Sequence, residues 1–212
     1  MEFLHPLAEV YAARYTTNDD ALLKEVADFT NEKHPKAHML SGAVQGKLLE
    51  MLSRMIQPRR ILEIGTFTGY SALCLAKGLT EDGLLYTIEI RVEDAETAQF
   101  FFNKSIVKDR IILQVGNAHE IIPALHEAWD IVFIDADKVS YIDYFNIVLP
   151  KVKSGGYIIA DNVLFHGEVL EEEKKGKNAK AVHAFNEYIK QDERVASVLL
   201  TVRDGLLLVR KK

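Results

Sequence analysis

The sequence predicts an α/β fold, a seven-stranded mixed sheet with helices on both faces and a helical cap ahead of the first strand. Three observations carry that prediction. Short β-branched apolar runs recur with helical stretches between them, the pattern of parallel strands buried on both faces. The last two runs are joined only by Arg203-Asp204-Gly205, whose Asp-Gly pair suits a tight antiparallel turn. Residues 1–58 precede the first run and carry helical rather than strand periodicity.

In chain order, the cap holds Leu48, Leu49, Leu52, Met55 and Ile56 at the spacing of one face of an amphipathic helix. Strands are expected at Arg60 to Ile64, Leu84 to Ile90, Ile111 to Val115, Asp130 to Asp135, Gly156 to Ala160, Val195 to Val202 and Leu206 to Arg210. Helices follow the first five of these, over Gly69 to Lys77, Arg91 to Ser105, His119 to Ala128, Val139 to Val152 and Ala179 to Gln191. The charge run from Glu171 to Lys177 reads as a solvated loop or frayed helix start.

With 212 residues, 48% of them hydrophobic, the chain can bury one ordinary core, and a single domain over 1–212 is expected, with 1–58 as cap and 59–212 as α/β core. Twelve glycines and five prolines exclude collagen-like and low-complexity chains. A net charge of -5 gives no global attraction to DNA or to a membrane surface. The single cysteine, Cys74, suits a reducing compartment, and the start of the chain shows neither a basic leader nor an apolar run, so a cytoplasmic protein is expected.

Glu63-Ile64-Gly65-Thr66-Phe67-Thr68-Gly69 follows the first strand and opens a helix, where an open α/β sheet binds nucleotides. The second glycine of a dinucleotide fingerprint is missing, which favours an adenosine-type ligand over a pyrophosphate. Gly65 would let that ligand lie against the strand end, and Glu63 could accept from its ammonium group, directly or through water. Glu89 ends the second strand, where an acid can take both ribose hydroxyls. The bland alternative makes the glycines turn residues and Glu89 a surface acid.

Asp135-Ala136-Asp137-Lys138 and Asp161-Asn162 finish two further strands, so Asp135, Asp161 and Asn162 could converge. Two carboxylates and an amide suit Mg²⁺ better than Zn²⁺. Alternatively, Asp161-Asn162 caps a helix or forms an Asx-turn. His34 and His38 lack further zinc ligands and have Pro35 between them, and Cys74 sits in an apolar run that suits a packed thiol.

These landmarks, with Met39 to Gly46 (MLSGAVQG) and Glu63 to Ser71 (EIGTFTGYS), resemble the cation-dependent, S-adenosylmethionine-dependent O-methyltransferases of the caffeoyl-CoA and catechol type, over nearly the whole chain. The resemblance implies a Rossmann-like class I methyltransferase fold. It implies that Met39, Ser41, Glu63, Gly65, Ser71, Glu89, Ala118 and Asp135 line the S-adenosylmethionine site, with Ala118 at the adenine. It also implies that Asp135, Asp161 and Asn162 hold Mg²⁺ or a similar cation, that Lys138 lies near the acceptor hydroxyl as a base, and that the protein is a homodimer. Plant caffeoyl-CoA enzymes carry Thr-Ser-Ala-Asp-Glu-Gly where this chain has Ser41 to Gly46, and Trp-Asn where it has Phe165-His166. Those changes flank the acceptor, and Phe165 and His166 are expected to shape its pocket.

The reaction so implied is direct methyl displacement by one hydroxyl of a small vicinal dihydroxy aromatic, with a Lys138 whose pKa neighbouring positive charge depresses. Three alternatives remain. Arg59-Arg60 and the lysines of 174–180 could form a basic patch for a hydroxylated uridine of transfer RNA. A dinucleotide oxidoreductase shares the wind, and a non-catalytic module would bind the donor without a cation.

Overall fold

The computed structural model describes residues 7–212, so the first six residues of the expected cap lie outside it. The cap comprises α1 (Ala8–Tyr15), α2 (Ala21–Lys33), a 3₁₀ turn at Ala37–Met39 and α3 (Gly42–Ile56). Asp20 starts α2 by accepting the Leu23 N–H at 3.0 Å, and α3 ends where Gln57 turns left-handed.

The seven strands are β1 (Arg60–Ile64), β2 (Leu84–Glu89), β3 (Ile111–Val115), β4 (Trp129–Ile134), β5 (Val152–Asp161), β6 (Val195–Leu200) and β7 (Leu206–Lys211). They form one sheet in the order β3-β2-β1-β4-β5-β7-β6. The first five are parallel, and β7 runs antiparallel to both β5 and β6. The crossover from β5 to β6 skips one strand position, which β7 fills.

Along β1 and β4 the side chains alternate between two cores. Leu62, Ile64, Val132 and Ile134 face α7 (Tyr141–Val148) and α8 (Lys177–Gln191), while Ile61, Ile131 and Phe133 face the layer of α3 and α4 (Tyr70–Ala76). Burial on both sides explains why these strands read as unbroken apolar runs. The same alternation puts Glu63 on the α3 and α4 face, away from solvent.

The connecting helices are α4 (Tyr70–Ala76), α5 (Val92–Phe102), α6 (Ala118–Ala124), α7 (Tyr141–Val148) and α8 (Lys177–Gln191). Two differ from expectation for local reasons. Asn117 caps α6 by accepting the His119 N–H at 3.0 Å, so that helix starts one residue early, and it ends just after Pro123 rather than at Ala128. The expected helix over Val139 to Val152 is α7 between two 3₁₀ turns, and Val152 already belongs to β5.

The turn between β6 and β7 is corrected as well. β6 stops at Leu200, and the left-handed residues are Arg203 (φ 49°) and Gly205 (φ 83°), not the Asp204-Gly205 pair. Asp204 instead spends its side chain on the loop after β5. No helix among the described residues is long and apolar enough to cross a membrane.

Candidate active site

The sheet order reverses beside β1, and the C-terminal ends of β1 and β4 meet there, the usual position of a ligand crevice in an open α/β sheet. Gly65 donates its N–H to the Ile88 carbonyl, and Asp135 donates its N–H to the Ile64 carbonyl, both at 2.9 Å. Gly65 has φ 99°, and a Cβ there would stand 2.0 Å from the Asp135 carbonyl oxygen. Only glycine allows these two strand ends to close together.

A cavity of about 540 Å³ opens over this point. Met39 and Ser41 from the cap, Gly65 and Ser71 around the β1 turn, and Glu89 and Ala118 beyond β2 and β3 line one side. Asp135, Lys138, Asp161, Asn162, Phe165 and His166 line the other. All the residues expected at the site therefore border one space except Glu63.

Glu63 is wholly buried and does not reach the cavity. Its carboxyl accepts Ser71 Oγ at 2.6 Å and Thr87 Oγ1 at 2.5 Å, and only Ser71 borders the cavity. Ser71 stands between Glu63 and the cavity, so of the two routes expected to a ligand ammonium, direct or relayed, the ligand-free geometry offers the relayed one. Glu89 accepts the backbone N–H groups of Phe67, Ile90 and Arg91 at 2.8 to 3.0 Å, which fix its carboxyl at the cavity edge.

On the opposite side, Lys138 Nζ donates to Asp135 Oδ1 at 2.8 Å and to Tyr141 Oη at 2.6 Å. Tyr141 Oη in turn donates towards the Asp161 carbonyl at 3.0 Å, tying Lys138 to the end of β5. Gln45, from α3, donates Nε2 to Asp161 Oδ2 at 2.6 Å, while its buried Oε1 has no hydrogen-bond partner among the described residues. Asn162 is left-handed (φ 55°) and donates its backbone N–H to Asp161 Oδ1 at 2.6 Å, while its side-chain amide donates to Asp204 Oδ2 at 3.1 Å.

A family model described as O-methyltransferase matches residues 13–212. This chain belongs to the O-methyltransferase family. The methyltransferase is 31% identical over 207 residues to a "Probable caffeoyl-CoA O-methyltransferase 2" of Dictyostelium discoideum, covering 95% of this chain and 90% of that one. It is 32% identical over 186 residues to a "Catechol O-methyltransferase" of Niastella koreensis, covering 86% of this chain and 83% of that one. Among solved structures it matches the O-methyltransferase TomG of Streptomyces achromogenes, solved with SAM, at a TM-score of 0.87 and 32% identity over 96% of this chain and 95% of that one. A transferase family leaves the dinucleotide oxidoreductase reading without support.

The methyltransferase holds two carboxyls well above their ordinary range. Burial raises Glu63 to about 8, against the hydrogen bonds from Ser71 and Thr87. Burial, then repulsion from Asp135, raises Asp161. In the ligand-free chain burial pulls the Lys138 pKa down, but Asp135 and Tyr141 outweigh it and raise it. The expected depression assumed neighbouring positive charge, whereas the nearest charge the chain supplies is a carboxylate.

The donor set fits a hard cation. Two repelling carboxylates and the orphaned amide oxygen of Gln45 supply more oxygen than positive charge around Asp161. Among the described residues no group of three or more His, Cys, Asp and Glu side chains is placed to hold a metal. His34 Nε2 pairs with Asp94 Oδ1 at 2.9 Å instead of binding zinc, and Cys74 is a buried thiol whose pKa burial raises.

Arg59 and Arg60 lie at the N-terminal end of β1 and pair with Asp82 and Glu127 at 2.6 and 2.9 Å, at the opposite end of the strand from the cavity. Gln45, Tyr141, Arg203 and Asp204 were not expected at the site: Gln45 was read only as part of the Met39 to Gly46 segment and Arg203-Asp204 only as a turn. Their contacts join segments far apart in the chain, and no local pattern marks them.

Proposed function

We propose that this S-adenosylmethionine-dependent O-methyltransferase methylates one hydroxyl of a small catechol-like acceptor, with a divalent cation, in the first instance Mg²⁺, held by Asp135, Asp161 and Asn162. The observation that carries this reading is the contact of Gly65 with Asp135, which puts the donor loop and the oxygen ligands on two sides of one cavity. Relatives named for catechol and caffeoyl-CoA substrates support the acceptor class.

In this reading Met39, Ser41, Gly65, Ser71, Glu89, Ala118 and Asp135 surround the methyl donor, with Glu63 fixing Ser71 from behind. A bound cation supplies positive charge that lowers the pKa of the acceptor hydroxyl and offsets the negative charge of Asp135. Lys138, tethered by Asp135 and Tyr141, would take the hydroxyl proton only in the loaded site, once the added positive charge and the engagement of Asp135 let it release its own proton to solvent. Bound among these residues, S-adenosylmethionine would supply the methyl group to the acceptor oxygen, its sulfur departing as the neutral thioether. Phe165 and His166 shape the acceptor wall. Residues 1–212 act as one domain in a cytoplasmic homodimer.

The test is methyl transfer to catechol and caffeate followed by mass spectrometry, with Mg²⁺ and with a chelator. Product that disappears with the chelator is the expected result. Product that persists at full rate overturns the cation's role. No product from either acceptor overturns the catechol reading, and hydroxylated transfer RNA becomes the next acceptor to try.

A further inference from the structure

Arg203 lies on the loop just before β7, and Leu206, the first residue of that strand, pairs with Asp161. At most about 10 Å of chain separates Arg203 from that register position. In the order β2-β1-β4-β5-β7 the loop therefore sits on the Asp161 side of the cavity, away from Glu89, and Arg203 lines the cavity there.

The backbone at this rim is held in an expensive conformation. Six non-glycine residues among those described have positive φ, and four of them, Asn162, Phe165, His166 and Arg203, border this flank. Glycine would occupy the Arg203 position without strain, so the arginine side chain is retained against a conformational cost of the kind that gathers at functional sites. Asp204 locks the loop in place by accepting the His166 N–H at 2.5 Å and the Asn162 amide at 3.1 Å, and its carbonyl accepts the Leu164 N–H at 2.9 Å.

The guanidinium is underused. Nη1 donates to the Ser41 carbonyl, and no carboxylate lies within ion-pair distance of Arg203 among the described residues. A planar fork of five donors with one bond made, on the wall of a cavity, suits a bidentate anionic oxygen pair. We propose that Arg203 reads a carboxylate on the acceptor, so that the preferred substrates are catechols bearing an acidic group across the ring from the diol. This rests on the catechol reading above and names its substrate class. A phosphate on a longer acceptor would offer similar oxygens, and the test separates the two.

The test is calorimetric titration of the full chain, in the presence of S-adenosylhomocysteine and Mg²⁺, with catechol and with 3,4-dihydroxybenzoate. The expected result is that the carboxylate compound binds about tenfold more tightly and that Arg203→Gly, which suits the left-handed backbone, collapses this ratio towards one. Arg203→Lys should restore part of the ratio, since it keeps the charge and loses the fork. An unchanged ratio in Arg203→Gly overturns the proposal, as does an equal loss for both compounds, which would mark the Ser41 contact as merely structural. Binding of coenzyme A that depends on Arg203, with no preference for the benzoate, assigns the arginine to phosphate and also overturns it. Methylation of catechol by the wild-type chain is scored separately, so loss of the catechol reading and loss of the Arg203 assignment give different results.

Discussion

At the β1 and β2 ends of the cavity the buried carboxyls are bonded throughout by the chain itself. Glu63 is held by two hydroxyls, and Glu89 by three backbone N–H groups. At the β4 and β5 ends, Asp135 and Asp161 repel one another, Gln45 leaves an oxygen orphaned, and the rim is built from left-handed non-glycine residues. The first region is complete as folded and needs only a ligand that fits. The second carries strain and unbalanced charge, which a cation and an acceptor can relieve.

The strongest way to break this contrast is at the residue joining the two regions. Gly65→Ala puts a methyl group 2.0 Å from the Asp135 carbonyl and forces a residue with φ 99° to carry a Cβ. A loss of about 3 kcal/mol or more is expected. That lowers the melting temperature by about 6 to 12 °C for a chain of this size, together with loss of methyl transfer. A wild-type melting temperature in this variant would show that the strand ends need not touch.

Asp161→Asn separates the regions next. Removing one of two repelling carboxylates should stabilise the cation-free protein by about 1 kcal/mol. It should also lower methyl transfer about a hundredfold. Paired thermal melts and rates check both arms, and a destabilised variant would contradict the account of unbalanced charge.

Lys138→Met tests the same end with a smaller change. A fall in kcat of about a hundredfold or less, with the donor KM unchanged, is expected for a group acting on the proton alone. Equal turnover in stopped assays at saturating donor would remove Lys138 from the reaction.

The mildest probe addresses the donor side. Glu63 binds its proton more tightly folded, at about 8, than at its ordinary 4.5. Its stabilising contribution is therefore complete below pH 4.5 and is lost as pH rises through 8. The unfolded chain releases the proton first, so stability declines by up to about 1.4 kcal/mol per pH unit within that window. Glu63→Gln should make denaturant-measured stability fall less steeply across it, and an unchanged slope would place the raised carboxyl elsewhere.

Much of the architecture was legible in the sequence because strands buried on both faces must be apolar at every position, whereas their connections show helical periodicity. The candidate site was legible where its residues close or directly follow a strand: Gly65, Glu89, Asp135 and Asp161-Asn162 all do. Helix ends were less legible, since the early start of α6 depends on one cap hydrogen bond and its early stop follows a single proline.

The amino-acid order alone determined the α/β wind, the strand ends that carry the chemistry and the family, because those rest on local pattern and spacing. Tertiary structure alone decided that Glu63 is buried behind Ser71, that Lys138 is held by Asp135 and Tyr141 and that Arg203 lines the cavity. Gln45 meets Asp161 across 116 residues of sequence, and Arg203 meets Ser41 across 162. Charge, burial and hydrogen bonding at such points depend on which distant segments the sheet brings together, and that is a property of the packed chain rather than of any stretch of it.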